Sequence, residues 1–161
     1  MPILHVQFDA QGKTSSGQVS QVPSQAALQQ RGPCVQVVIG LAEAFAQQLL
    51  QQGQSVPTPI AGMALVDTGA SVTCVDDTLA QQLQLPAIDV VQMMSASHAA
   101  TQQNVYPIEI EIVGAAISVN VPRAIGATLV PQGIIALIGR DFLQHCTLFY
   151  NGVTGAITLS V

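Results

Sequence analysis

Two short segments of this chain carry residues whose types and order could do chemistry. The first is Ala64-Leu65-Val66-Asp67-Thr68-Gly69-Ala70-Ser71. An apolar run delivers a carboxylate at its end, which fixes Asp67 on rigid backbone where a buried strand opens into a turn. Gly69 lets the chain turn tightly and lets another chain approach closely. Thr68 adds a hydroxyl that can donate and accept at the same place. Alone, Asp-Thr-Gly also fits a strand-ending turn closed by an Asx hydrogen bond. The second segment is Ile134-Ile135-Ala136-Leu137-Ile138-Gly139-Arg140-Asp141-Phe142-Leu143. Here an apolar strand ends in glycine and runs into Arg-Asp and a short helix.

In this order the two segments resemble the retropepsin-like aspartic peptidases, the family of the retroviral proteases and their cellular and bacterial relatives. The resemblance runs from about Cys34 to Val161 and is most specific over residues 63–75 and 134–150. The closing LFYNGVTGAITL is similar to the end of bacterial members. The resemblance implies an all-β fold, a closed retropepsin-like (acid protease) barrel with a psi-shaped active-site loop, in a symmetric homodimer where two copies of Asp67 face each other. It implies that Asp67 is catalytic and that Gly69 and Ala70 support its loop. Thr68 matches a hydroxyl that bonds across the dimer, Gly139 a segment threading behind the catalytic loop, and Arg140 an arginine tying that segment and the dimer together. A flap is implied at about residues 93–104, with Met94, Ser95, Ala96, Ser97 and His98 as its candidate substrate-binding tip.

Three departures stand out. Viral members often carry a second Asp where this chain has Ser71, so the acidic partner of Arg140 must be Asp141, Asp76 or Asp9. The flap segment contains no glycine. A helix over Leu41–Gln52 is an insertion relative to the compact viral form.

The chemistry makes a physical case for pairing. One carboxylate near its ordinary pKa of about 3.9 is a poor base, and it is no acid at neutral pH. Two held within hydrogen-bond reach cannot both ionise cheaply, so their titrations split. One then polarises a carbonyl while the other takes a proton from water. The chain has a single Asp-Thr/Ser-Gly, so the second carboxylate must come from another copy. No metal or cofactor is called for.

The elements that must position these residues are mostly strands. Ile3–Phe8 alternates, with Leu4, Val6 and Phe8 on one face. Residues 9–33 are rich in Gln, Ser and Gly and read as a loop or arm, with a short extended piece at Val19–Val22. The expected division is therefore an N-terminal strand and arm over 1–33 and a peptidase domain over 34–161. Cys34–Ile39 is a β-branched strand, and residues 41–53 form an amphipathic helix ended by Gly53. Further strands are expected at 63–66, 72–75, 90–94, 105–112, 116–121, 134–138, 147–150 and 156–161. In Val105–Ile112, Ile108, Ile110 and Ile112 alternate with Glu109 and Glu111, giving one buried and one wet face. Asp76 can cap a helix running through Leu83. A helical turn follows at Asp141–His145, for two or three short helices in all.

Composition narrows the partners. Apolar residues make up 49% of the 161 and charged residues 8%. For a 16.7 kDa chain of mean hydropathy +0.46, some apolar surface is left for a subunit interface. Apolar runs such as Ile60–Val66 fall short of the roughly 20 residues a membrane span needs. The formal net charge of −5 with four basic residues offers no cationic footprint for nucleic acid. Cys34, Cys74 and Cys146 are odd in number and widely spaced, and the first residues do not read as a secretion signal. They are read as reduced thiols in a cytoplasmic protein. No Cys-x-x-Cys or His-x-x-x-His spacing makes a zinc site of His145 and Cys146. Cys74, His145 and Cys146 are expected to be packing residues, and Tyr106 to pack or to reach the cleft.

The reading that follows is an aspartic endopeptidase cleaving extended polypeptides. The alternative is a retropepsin-fold binding or dimerisation module with little turnover, motivated by Ser71 and the glycine-free flap.

Overall fold

The structure is a computed structural model and describes residues 2–13, 19–95 and 98–161. The chain forms β1 (Ile3–Gln7), β2 (Ala10–Lys13), β3 (Val19–Val22), α1 (Ser24–Arg31), β4 (Cys34–Leu41) and α2 (Glu43–Gln51). Then come β5 (Ile60–Val66), β6 (Cys74–Asp76), α3 (Asp77–Gln82), β7 (Asp89–Ser95), β8 (His98–Ile112) and β9 (Ile117–Ala127). A 3₁₀ turn at Val130–Gln132 leads to β10 (Ala136–Ile138), α4 (Arg140–Leu143), β11 (Thr147–Asn151) and β12 (Ala156–Ser160).

Six strands close on themselves in the order β4-β5-β10-β6-β9-β8, with β8 returning to pair with β4. Closure follows from the length of β4, which pairs with β5 through residues 34–39 and with β8 through residues 37–41. Its alternation seals the interior: Val35, Val37 and Ile39 are buried, whereas Gln36 between them faces water. Ile108, Ile110 and Ile112 of β8 do the same, and Glu111 is exposed as expected. Each such side chain contributes about 1.5–3 kcal/mol by leaving water. β7 lies outside the ring and pairs only with β8, so the two make a projecting hairpin. A second sheet, β1-β12-β11, packs Leu4, Ile157 and Leu159 into the same apolar cluster as the barrel.

Three of the departures from the expected elements have a clear local cause. Residues 24–31 form α1, where a loop was expected. Gln, Ala, Leu and Arg are all good helix formers, Ala27 and Leu28 are buried in the main core, and Gly32 at φ 73° stops the helix. With α2, α3 and α4 this makes four α-helices among the described residues. α2 begins at Glu43 because Leu41 is taken by the ladder, opposite Ile108. The strand expected at 72–75 is β6, two residues shorter at its start, because Thr73 donates its N–H to a side chain instead of to a neighbouring strand. Asp76 caps α3 as expected, accepting from Thr78 N and Leu79 N.

Candidate active site

β5 and β6 are consecutive strands, yet β10 lies between them, parallel to β5 and antiparallel to β6. The segment 67–73 therefore loops over the end of β10. This crossing is the psi arrangement, and it puts Asp67 where three strands meet. Asp67 extends the parallel register by donating its backbone N–H to Ile138 O at 3.0 Å. Its carboxylate Oδ1 accepts from Gly69 N at 2.8 Å, an Asx turn that aims the group while leaving Oδ2 open. The side chain is partly exposed, and Thr68 and Gly69 beside it are exposed.

Two adjacent residues clamp this loop. Arg140 donates from Nη1 to Thr68 O at 2.9 Å and to Gly69 O at 3.1 Å, and its backbone N–H bonds Ala70 O at 3.0 Å. Asp141 points the other way. Its Oδ1 accepts from Thr73 N at 2.9 Å, Thr73 Oγ1 at 2.7 Å and Phe142 N at 2.9 Å. The Thr73 hydroxyl in turn accepts from Gly139 N at 3.1 Å. Gly139 has to be glycine here, since a Cβ would stand 2.5 Å from Val72 C and 2.8 Å from Thr73 N.

Asp67, Thr68, Gly69, Ala70 and Arg140 are thus brought together, and Gly139 joins them through Thr73. None of the three acidic partners expected for Arg140 pairs with it among the described residues. Asp141 holds Thr73; Asp9 accepts from Ser24 Oγ. Asp76 is buried and accepts from the backbone N–H groups of Thr78, Leu79, Leu129 and Val130. Burial acts to raise Asp76, but the four N–H groups outweigh it and hold its carboxyl below the ordinary value. Arg140 uses two carbonyls in place of a carboxylate.

Of the expected flap tip, Ala96 and Ser97 lie outside the described residues. Met94, Ser95 and His98 are on the β7–β8 hairpin, which pairs Ser95 with His98. Met93 packs on a small apolar cluster of Cys74, Leu129 and Ile134, which ties the hairpin to the strand that follows the Asp67 loop. Cys74 is buried, as expected. Burial first, then Asp141 and Asp67, push its thiol up to about 11, so it is no thiolate at neutral pH. Tyr106 is buried and donates to Asp77 Oδ1 at 3.2 Å, which makes it a packing residue. His145 is exposed, which corrects its expected packing role; it follows α4 at the surface.

Thr73 was not singled out in the sequence. The signal was there: a polar residue between Val72 and Cys74, in a run otherwise apolar enough to be buried. Also unforeseen is a 390 Å³ cleft in which Leu148 and Tyr150 of β11 face Asp67 and Thr68. A larger cavity of 580 Å³ between β7, β9 and α4 reaches Val72 and Asp141 but not Asp67. Proximity to the partly exposed carboxylate makes the smaller cleft the relevant one.

A closed β-barrel with a psi crossing, an Asp-Thr-Gly turn at its open end and a glycine strand threaded behind it defines the retropepsin-like class of aspartic proteases. The family described as gag-polyprotein putative aspartyl protease matches residues 60–145, just over half of the chain, and the chain belongs to that family. Among solved structures it is similar to a retropepsin-like aspartic protease from Rickettsia conorii. There the identity is 11% and the TM-score 0.47, over 98% of this chain and 90% of that one. It is also similar to the retroviral protease-like domain of Ddi1 from Leishmania major, at 12% identity and TM-score 0.39, over 73% of this chain and 80% of that one. No curated protein matches the sequence. No helix among the described residues is long and apolar enough to cross a membrane.

Proposed function

We propose that this chain is an aspartic endopeptidase whose working site is built from two copies of Asp67, one from each subunit of a homodimer. The observation that carries the reading is the state of Asp67. It is rigidly aimed by Gly69 N–H, partly exposed at the mouth of the psi crossing, and set on a loop clamped by Arg140 and Asp141.

When two such carboxylates face each other across a two-fold axis, one proton serves both. The unprotonated one removes a proton from a water held between them. The protonated one donates to the oxygen of the peptide carbonyl. Water oxygen adds to the carbonyl carbon, giving a tetrahedral diol. Its C–N bond then breaks as the amide nitrogen takes a proton, releasing an acid and an amine. Thr68, exposed next to Asp67, supplies a hydroxyl to bond the opposite loop and keep the carboxylates coplanar. The β7–β8 hairpin, which carries Met94, Ser95 and His98, closes over an extended peptide bound as an added strand, excluding water.

The test is Asp67→Asn, which removes the shared proton while keeping shape. Cleavage of a peptide library should fall at least about a thousand-fold, with fold and association unchanged. Wild-type activity between about pH 4 and 7 should be blocked by a statine-type inhibitor. If Asp67→Asn cleaves as well as wild type, the assignment is wrong. If wild type cleaves nothing, the protein is the binding or dimerisation module.

A further inference from the structure

We infer that Asp76 is a positioning residue for substrate selectivity, holding the loop that walls a side-chain pocket next to Asp67. The inference rests on the two-carboxylate reading and adds which buried group shapes the cleft.

Asp76 is only 2% exposed, and its carboxylate serves two elements at once. Oδ1 accepts from Thr78 N at 2.9 Å and Leu79 N at 3.3 Å, which caps α3. Oδ2 accepts from Leu129 N at 2.8 Å and Val130 N at 2.9 Å, 53 and 54 positions away. A helical turn leaves its first N–H groups without partners, and so does the 3₁₀ turn at Val130–Gln132. Pro131 has no N–H, so Oδ2 meets every orphan donor at the start of this turn. The backbone of the same residue holds the far end, where Asp76 N donates to Ile135 O at 2.9 Å. Residues 129–135 are therefore a loop closed at both ends on Asp76. Within it, Gln132 N bonds Leu129 O at 2.8 Å and Gly133 N bonds Val130 O at 2.9 Å, which makes the turn one unit.

The loop is also a wall. Gln132, Gly133 and Ile134 line a cavity of 510 Å³ together with Cys34, Met63 and Leu65. Leu65 lines the cleft of Asp67 and Thr68 as well, so the two spaces adjoin. An extended peptide cut at Asp67 finds there a mostly apolar recess for a side chain near the cut. The Met63 and Leu65 wall is fixed by the ladder of β5. Residues 130–134 belong to no strand. Their place depends on the two charge-assisted bonds to Asp76 and on Leu129 and Ile134, which pack with Cys74 and Met93.

The substitutions separate the two duties of the carboxylate. Asp76→Ser keeps a capping oxygen for α3 but is too short to reach the loop. Asp76→Asn has one oxygen where two are in use. Cleavage of a peptide library varied at the residues flanking the cut is compared for the unaltered chain, both variants and Ile110→Val, with circular dichroism to check folding. Ile110 is buried on β8, bonded to neither Asp76 nor the loop, and controls for lost stability. In both Asp76 variants the kcat/KM ratio between the favoured side chain and a smaller or larger one should narrow about ten-fold. The change should come through KM, with kcat on the favoured peptide held within about three-fold. Ile110→Val should leave the ratios within about two-fold. Hydrogen exchange gives a readout that needs no turnover and, in the unaltered chain, no substitution. There the Leu129 and Val130 amides should be as protected as that of Leu79, although Val130 is 52% exposed. In Asp76→Ser they should exchange at least about ten-fold faster, while Leu79 stays within about three-fold.

Leu129 and Val130 amides that exchange at free-peptide rates in the unaltered chain overturn the inference, whether or not the variants fold. So do ratios that neither Asp76 variant moves, or that Ile110→Val moves equally. Those results leave the two-carboxylate reading standing if cleavage still depends on Asp67. A chain that cleaves nothing overturns that reading, and the selectivity role of Asp76 goes with it.

Discussion

Replacing Thr73 by valine tests whether the Asp67 loop is held from behind. The two side chains have nearly the same shape, and Thr73 is fully buried, so packing changes little and the hydroxyl is what goes. Two bonds go with it. The first is the donation to Asp141 Oδ1 at 2.7 Å, a hydrogen bond to a charged group with a net value of about 1.5–3 kcal/mol. The second is the acceptance from Gly139 N at 3.1 Å, whose loss strands a buried N–H and costs about 1–3 kcal/mol. The midpoints sum to about 4 kcal/mol. With a urea slope of about 2 kcal/mol per molar, the unfolding midpoint should fall by about 2 M. Thr73→Ser keeps both bonds and loses one buried methyl, so it should cost only about 1 kcal/mol. Chemical denaturation of both variants at neutral pH makes the comparison. If valine and serine unfold within about 0.5 kcal/mol of each other, the hydroxyl is not bracing the loop and the reasoning fails.

Two further predictions concern the same scaffold. Gly139→Ala forces a Cβ to 2.5 Å from Val72 C and should destabilise by about 1–3 kcal/mol, lowering Tm in calorimetry by about 4–10 °C. Asp76, depressed in the folded state, should contribute stability that is full above its ordinary 3.8 and lost as pH falls through its lower folded value. Asp76→Asn should therefore cut stability at neutral pH and flatten the acid limb of a urea-midpoint series taken from pH 7 to 3.

Most of the barrel was legible because its strands announce themselves. The alternation of Ile108, Ile110 and Ile112 against Glu109 and Glu111 is a period-2 signal with one physical meaning. Asp76 as a cap was legible for the same reason, since its chemistry is local. What could not be read depends on contacts distant in sequence. α1 buries only Ala27 and Leu28, too few for a helical period to show, and its first turn is seated against Gly155 of the β11–β12 turn. The start of β6 could not be placed because it depends on Asp141, 68 positions away, taking the Thr73 N–H. The cleft joining Asp67 to Tyr150 is likewise a product of tertiary packing and leaves no mark in either segment.

The expectation that Arg140 needs an acidic partner fails for a geometric reason. Arg140 and Asp141 are neighbours at the start of α4, and their side chains leave in opposite directions. The guanidinium reaches the front of the Asp67 turn, at Thr68 O and Gly69 O. The carboxylate reaches its rear, at Thr73. One short helical turn thereby holds both ends of the segment 67–73, and the charges are satisfied separately. Arginine suits the front position because one guanidinium nitrogen, Nη1, carries two N–H groups and so serves both carbonyls at once. An ion pair to Asp141 would consume the donors that fix Thr68 and Gly69, and would release Thr73 from behind. The geometry therefore disfavours the pairing that sequence order invites. It also explains how a chain with Ser71 in place of a second acid can keep Asp67 aimed: the loop is positioned by hydrogen bonds to its backbone, not by an ion pair within it.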